Sequence, residues 1–313
     1  MPNLITEDQI EQALLGRLAA ASGWATLNCH TADPANLADG SGRTDKREVI
    51  LRGPLREAVR RLNPQLPEQV IDEALERLCD RRPAMTTVMA NREVYDLLRH
   101  GIAVEFDDAQ GRVRRERLRV IDFRDPACND FLAVSQLWIK GERGYRRPDV
   151  LLYVNGLPLV FIELKNSNVA LKSAYIDNLT NYRHEIPQLF LCNAFCVLSN
   201  ALETRVGSLT AQWEHFFTWL RPDDEKEKID REAIHDHGTS LERVIDGLLQ
   251  PVRLLDYVEN FILFYKQTQK IIAQNHQFIG VNRALERFDR RAELDGKLGG
   301  RGSVRKRVFD LDV

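Results

Sequence analysis

RRPDVLLYVNGLPLVFIELKN, residues 146–166, is the stretch whose reading decides the fold. Two apolar runs, Asp149–Val154 and Leu157–Lys165, flank Asn155-Gly156. Asn-Gly between such runs is the strongest short-range signal for a β-hairpin. Glu163 and Lys165 lie two apart on the second strand, so both side chains leave the same face. Asp149 opens the first strand, at the same end of the hairpin. A strict two-residue turn would set Asp149 against Ile162, on the wrong face. One extra residue brings Asp149 opposite Glu163. The sequence therefore predicts a bulge or a three-residue loop near Gly156-Leu157-Pro158, where glycine and a proline without an N–H suit a broken ladder.

Ending a buried strand with Glu-x-Lys places charges at the rim of a core, which is costly unless they are paired or bound to a metal. Taken alone, Glu-Leu-Lys reads as a solvated strand end with a modest ion pair; Asp149 across the hairpin argues for more. Two carboxylates suit magnesium, which takes hard oxygen ligands and keeps several waters. A lysine beside them can steady a phosphorane or orient a water. Asp149, Glu163 and Lys165 are thus a candidate centre for phosphodiester hydrolysis, with magnesium held by Asp149, Glu163 and the Leu164 carbonyl.

Working outward, Thr6-Glu7-Asp8-Gln9 reads as a capping box for a helix to about Ser22. Residues 28–48 are polar and read as a loop. Helices follow near 54–62, 67–79 and 91–100. Strands are expected at 103–106, 112–121, 131–140 and 195–199, a helix at about 172–184, and several helices from 240 to about 292. This order implies an α/β fold: a mixed sheet flanked by helices, with extra helices at both ends. Gly296–Gly302 reads as a mobile tail.

The 313 residues carry 44 basic and 46 acidic side chains, a net charge of −2. Any DNA contact must therefore come from local basic patches or a bound metal, because composition alone does not suggest a nuclease. No run approaches the roughly 18 apolar residues that span a bilayer. The acidic start lacks an export signal. Five scattered cysteines without a CxxC pair argue for reduced thiols, and the expected compartment is the cytoplasm.

The hairpin resembles the PD-(D/E)xK nuclease signature in the N-terminal domain of the type I restriction endonuclease R subunit. Seven further segments resemble that family in its order: residues 7–24, 91–106, 120–139, 181–190, 205–219, 254–264 and 270–286. The resemblance implies a restriction-endonuclease-like core. It assigns Asp149 and Glu163 to the metal and makes Lys165 catalytic. Glu11 matches an acid on the first helix that helps hold the metal in related nucleases. Tyr182 matches the tyrosine of a Gln-x-x-x-Tyr motif, with Asn178 standing where glutamine is usual.

The resemblance further implies cleavage of unmodified double-stranded DNA, with 5′-phosphate and 3′-hydroxyl ends. Partners would be the methyltransferase and specificity subunits. In the family, a glycine-rich phosphate loop and an ATP-driven motor follow. Gly299-Gly300-Arg301-Gly302-Ser303 does not make that loop, so the chain reads as a nuclease domain over 1–270 and a truncated motor start over 271–313. An inactive module docking on the partner subunits is the rival reading.

Arg143, Arg146 and Arg147, just ahead of Asp149, are the candidate DNA contacts. Arg112, Arg114, Arg115, Arg117 and Arg119 read as a solvated strand face diluted by nearby acids. Trp213, Phe216, Phe217 and Trp219 read as core, and Arg301, Arg305, Lys306 and Arg307 as an ordinary basic terminus.

Overall fold

A computed structural model describes residues 4–108, 110–224, 226–266 and 268–294. The glycine-rich tail and the terminal basic cluster lie outside these residues. Helix α1 (Glu7–Ser22) starts on the expected capping box, with Thr6 and Gln9 bonding reciprocally, and stops at Gly23 in a left-handed conformation. Strand β1 (Ala25–Asn28), helices α2 (Arg52–Leu62), α3 (Glu68–Cys79) and α4 (Thr87–His100), and the hairpin β2 (Ile102–Asp107) and β3 (Val113–Leu118) follow. Next come β4 (Phe131–Ser135), the short pair β5 (Ile139–Lys140) and β6 (Tyr145–Arg146), β7 (Val150–Val154) and β8 (Leu157–Leu164). The remainder holds α5 (Thr180–Glu185), β9 (Phe195–Ser199), β10 (Thr204–Gly207), β11 (Phe217–Thr218), α6 (Arg231–Asp236), α7 (Ser240–Gly247), α8 (Pro251–Asn260), β12 (Ile262–Tyr265), β13 (Gln269–Ile272) and α9 (Asn275–Leu294).

Seven strands form one mixed sheet in the order β1-β4-β7-β8-β9-β10-β11. β1 runs parallel to β4 and β8 to β9, while the other neighbours are antiparallel. Helices flank the sheet, as the restriction-endonuclease-like reading expects. Every residue of β7 and β8 is buried, which is why both strands read as continuous apolar runs rather than alternating ones. None of the helices among the described residues is long and apolar enough to cross a membrane, and all five cysteines are free.

Three stretches differ from expectation. The strand expected over 131–140 breaks after Ser135, where Gln136 takes a left-handed φ of 58°. The helix expected near 172–184 begins as a π-helical turn over Ala174–Leu179 before continuing as α5. The helical run after 240 is interrupted by the antiparallel hairpin β12–β13, whose Ile262 and Ile272 are buried with the neighbouring helices. Of the four aromatics expected in the core, Phe216 and Trp219 are buried and Trp213 and Phe217 only partly so, on a segment formed by a 3-10 turn and a short strand.

The turn between β7 and β8 has two residues, Asn155 at φ 51° and Gly156 at φ 77°. Positive φ at both positions matches the twist of a hairpin. Gly156 also abuts the start of α2: its carbonyl accepts the Leu51 N–H at 2.9 Å, and a Cβ there would stand 2.5 Å from the Leu51 carbonyl oxygen. We expect Gly156→Ala to cost roughly 3 kcal/mol of stability, from strain plus the clash. Urea unfolding checks this: a midpoint equal to that of wild type would contradict the close approach.

Candidate active site

Pairing in the β7–β8 hairpin runs Val154↔Leu157 and Tyr153↔Pro158, then jumps to Leu152↔Val160 and Val150↔Ile162. Leu159 is the extra residue. The bulge falls one position beyond Pro158, next to the region the sequence singled out, and the turn itself stays two residues long. Continued by one step, the shifted register sets Asp149 opposite Glu163. Asp149 faces the partner strand: its Oδ2 accepts the Leu164 N–H at 2.7 Å.

Glu163 is 1 % exposed. Its Oε1 lies 3.4 Å from the Lys165 amine, while its Oε2 is buried with no hydrogen-bond partner. Lys165 Nζ also donates to the Leu164 carbonyl at 3.0 Å and stands 3.8 Å from Glu7. The Lys165 main chain is fixed by donation to the Ser199 carbonyl. The start of α1 is clipped to the end of this strand: Asn166 accepts the Glu7 N–H, and Ile5 and Ser167 bond to each other. This clip carries Glu7 and Glu11 to the carboxylates.

Glu11 is buried on α1 and accepts a hydrogen bond from the Gln136 side-chain amide. The Gln136 main-chain N–H donates to the Asp149 carbonyl at 2.9 Å. Sequence reading missed Gln136 and Glu7. Gln136 has no local signature, because its place follows from β4 pairing with β7 (Ser135↔Val150). Glu7 could have been flagged only by knowing that α1 starts beside Asn166.

Tyr182 packs edge-on against Phe161 at 5.8 Å, and its hydroxyl approaches the Arg147 carbonyl at 3.4 Å. Asn178, in the π-helical turn, faces the Tyr182 hydroxyl with its side-chain amide and favours its ionised form. The three candidate DNA arginines separate. Arg143 is exposed at the β5–β6 tip, Arg146 is tied to Glu185, and Arg147 lies on the Trp138 ring, 4.9 Å from its centroid. In the β2–β3 hairpin, Arg112 and Arg114 pair with Asp108, and Arg115 with Glu105.

Electrostatics follow from this crowding. Burial pushes the Asp149 carboxyl up to about 6; its bond from Leu164 and the Lys165 charge oppose the rise, while Glu7 and Glu11 add to it. Glu163 is driven well above the usual carboxylate range, first by burial and then by the Asp149 charge. Burial also raises Glu11, and burial together with the Glu163 charge raises the Tyr182 hydroxyl. One lysine thus faces several acids that resist ionising together, and a cation would relieve them. Among the described residues, no three or more His, Cys, Asp or Glu side chains are grouped as a metal cage. The donors present are two carboxylates and the Leu164 carbonyl, with Glu163 Oε2 lacking a partner; that set suits an ion completed by water.

A carboxyl whose folded pKa is raised lends stability below its unfolded pKa and loses it as pH climbs through the folded value. In chelator, wild type should therefore lose roughly 2 kcal/mol relative to Asp149→Asn between about pH 4 and pH 7. Denaturant titrations across that window check this; parallel stability profiles for the two proteins would contradict it.

Residues 4–215 match the family described as type I restriction enzyme R protein N terminus. The chain is 37% identical over 296 residues to the type I restriction enzyme HindI endonuclease subunit of Haemophilus influenzae, covering 90% of this chain and 27% of that protein. It is 31% identical over 264 residues to a putative type I restriction enzyme MjaIXP endonuclease subunit of Methanocaldococcus jannaschii, covering 78% of this chain and 24% of that protein. The chain thus spans about a quarter of the length of these relatives. With a mixed sheet presenting Asp149, Glu163 and Lys165 from one hairpin, and a family match over more than half its residues, this chain belongs to the family of type I restriction enzyme R protein N-terminal domains.

Proposed function

We propose that the chain is the magnesium-dependent endonuclease part of a type I restriction enzyme, hydrolysing phosphodiester bonds of unmodified double-stranded DNA in the cytoplasm. The observation that carries this reading is the buried Glu163 carboxylate, with one oxygen beside the Lys165 amine and the other without a partner. Asp149, Glu163 and the Leu164 carbonyl would hold the ion, and Glu11 stands by on α1. Bound there, magnesium supplies charge relief at the phosphate and a more acidic water.

The chain's own groups do the positioning. Lys165, held between Glu163 and the Leu164 carbonyl, points its amine where charge builds on phosphate oxygens and orients the attacking water. The water oxygen bonds to phosphorus as the P–O3′ bond breaks. The attacking water gives up a proton to solvent, the 3′ oxygen leaves and takes one from solvent to become the 3′-hydroxyl, and a 5′-phosphate remains. Tyr182, through Phe161 and Asn178, closes the wall beside Glu163. Docking on methyltransferase and specificity subunits, and coupling to an ATP-driven motor, belong to the full-length protein in this reading.

Nicking of supercoiled plasmid by the chain with magnesium tests the proposal. Lys165→Ala and Glu163→Gln should each lower the rate about 100-fold or more with unchanged circular dichroism, and chelator should abolish cleavage. Equal rates in wild type and both variants would remove these residues from the chemistry. A folded wild-type chain that binds partner subunits without cutting would instead favour the docking module.

A further inference from the structure

Arg147 stands two residues ahead of Asp149, yet its guanidinium has no carboxylate within ion-pair distance among the described residues. It lies instead on the face of Trp138. Its charge is felt at Glu11, where it favours the ionised form. Its main-chain carbonyl receives the Tyr182 hydroxyl. The guanidinium is therefore held at the edge of the carboxylate centre without being neutralised there. Arg146 contrasts with it, spent on Glu185, and so does Arg143 on the exposed tip.

What holds Trp138 is built with unusual care. Its indole N–H donates to the Thr31 carbonyl at 3.0 Å. Its own carbonyl accepts from Arg43 Nη2 at 3.0 Å. Arg43 in turn pairs with Asp39 at 2.8 Å, and Lys46 reaches the same Asp39 oxygen at 2.7 Å. All three charged side chains are almost completely buried. Burying this carboxylate costs desolvation, but the bonds from Lys46, Ser41 and Arg43 outweigh it and hold Asp39 well below the usual carboxylate range, so the knot stays ionised. As a brace for Trp138, the knot has a use. A guanidinium stacked on an aromatic ring keeps its in-plane N–H groups free to fork onto an anion and loses little freedom in doing so.

We propose that Arg147 grips a backbone phosphate of the DNA strand entering the Asp149–Glu163–Lys165 centre, and that Trp138, braced by the Asp39–Arg43–Lys46 knot, is the positioning residue that presents it. The inference rests on the nuclease reading for its substrate class and deepens it by naming the phosphate contact. Arg147 acts on binding and placement of the strand, not on the bond-breaking groups.

Anisotropy of a fluorescent DNA duplex titrated with the chain in calcium, over a series of salt concentrations, tests this. Arg147→Ala should weaken binding roughly ten-fold and lower the salt slope by about one counterion. Arg147→Lys and Trp138→Leu keep the net charge near the site, so both should hold the salt slope while losing affinity. Trp138→Phe, which retains a ring face, should fall between wild type and Trp138→Leu and serves if the leucine variant is unstable. Arg143→Ala should change affinity less than about two-fold. Wild-type affinity and slope in Arg147→Ala would overturn the proposal, leaving the nuclease reading to stand on the cleavage assay. A wild-type chain that binds no duplex would overturn both.

Discussion

Leu159 adds one residue between the Asn155-Gly156 turn and the end of β8, and the pairing beyond it, from Leu152↔Val160 to Val150↔Ile162, shifts with it. Side chains alternate faces along a strand, so a one-residue slip moves an entire set to the opposite side. With the slip, Asp149 opposes Glu163 and accepts the Leu164 N–H. Without it, Asp149 would oppose Ile162 and the carboxylates would part. Gly156 against α2 and the Ala194 N–H on the Leu159 carbonyl pin the shifted pairing from both ends.

That geometry forces charge into a place that resists it. Glu163 is buried, Asp149 nearly so, and α1 adds Glu7 and Glu11 from a helix clipped to Asn166 and Ser167. Lys165 opposes only part of this. Such an arrangement is costly to a protein with no cation to place there, and natural sequences accept local cost mainly at functional sites.

The sequence was most legible where local rules act. The capping box of α1, the Asn-Gly turn, the buried strands and the need for an extra residue near Pro158 could all be read from spacing and composition. The architecture was also legible, as a resemblance spread over several ordered segments. Long-range pairing was not. Gln136 enters the site only because β4 pairs with β7, and β1 joins the sheet as a parallel edge that four residues cannot announce. The π-helical turn that carries Asn178, and the hairpin within the helical run after residue 240, arise from packing that overrides local propensity. The arginines ahead of Asp149 could be named as a group, but only the fold separates Arg146, paired with Glu185, from Arg147, stacked on Trp138.

Calorimetric titration of magnesium into the chain near pH 6, repeated in two buffers of different ionisation heat, addresses the central claim directly. Carboxyls held above their usual range must shed protons to take a metal. The account predicts saturable magnesium binding with release of about one proton, and loss of both in Glu163→Gln. Wild type that takes up no magnesium, or Glu163→Gln that binds it with equal affinity and proton release, would contradict the account.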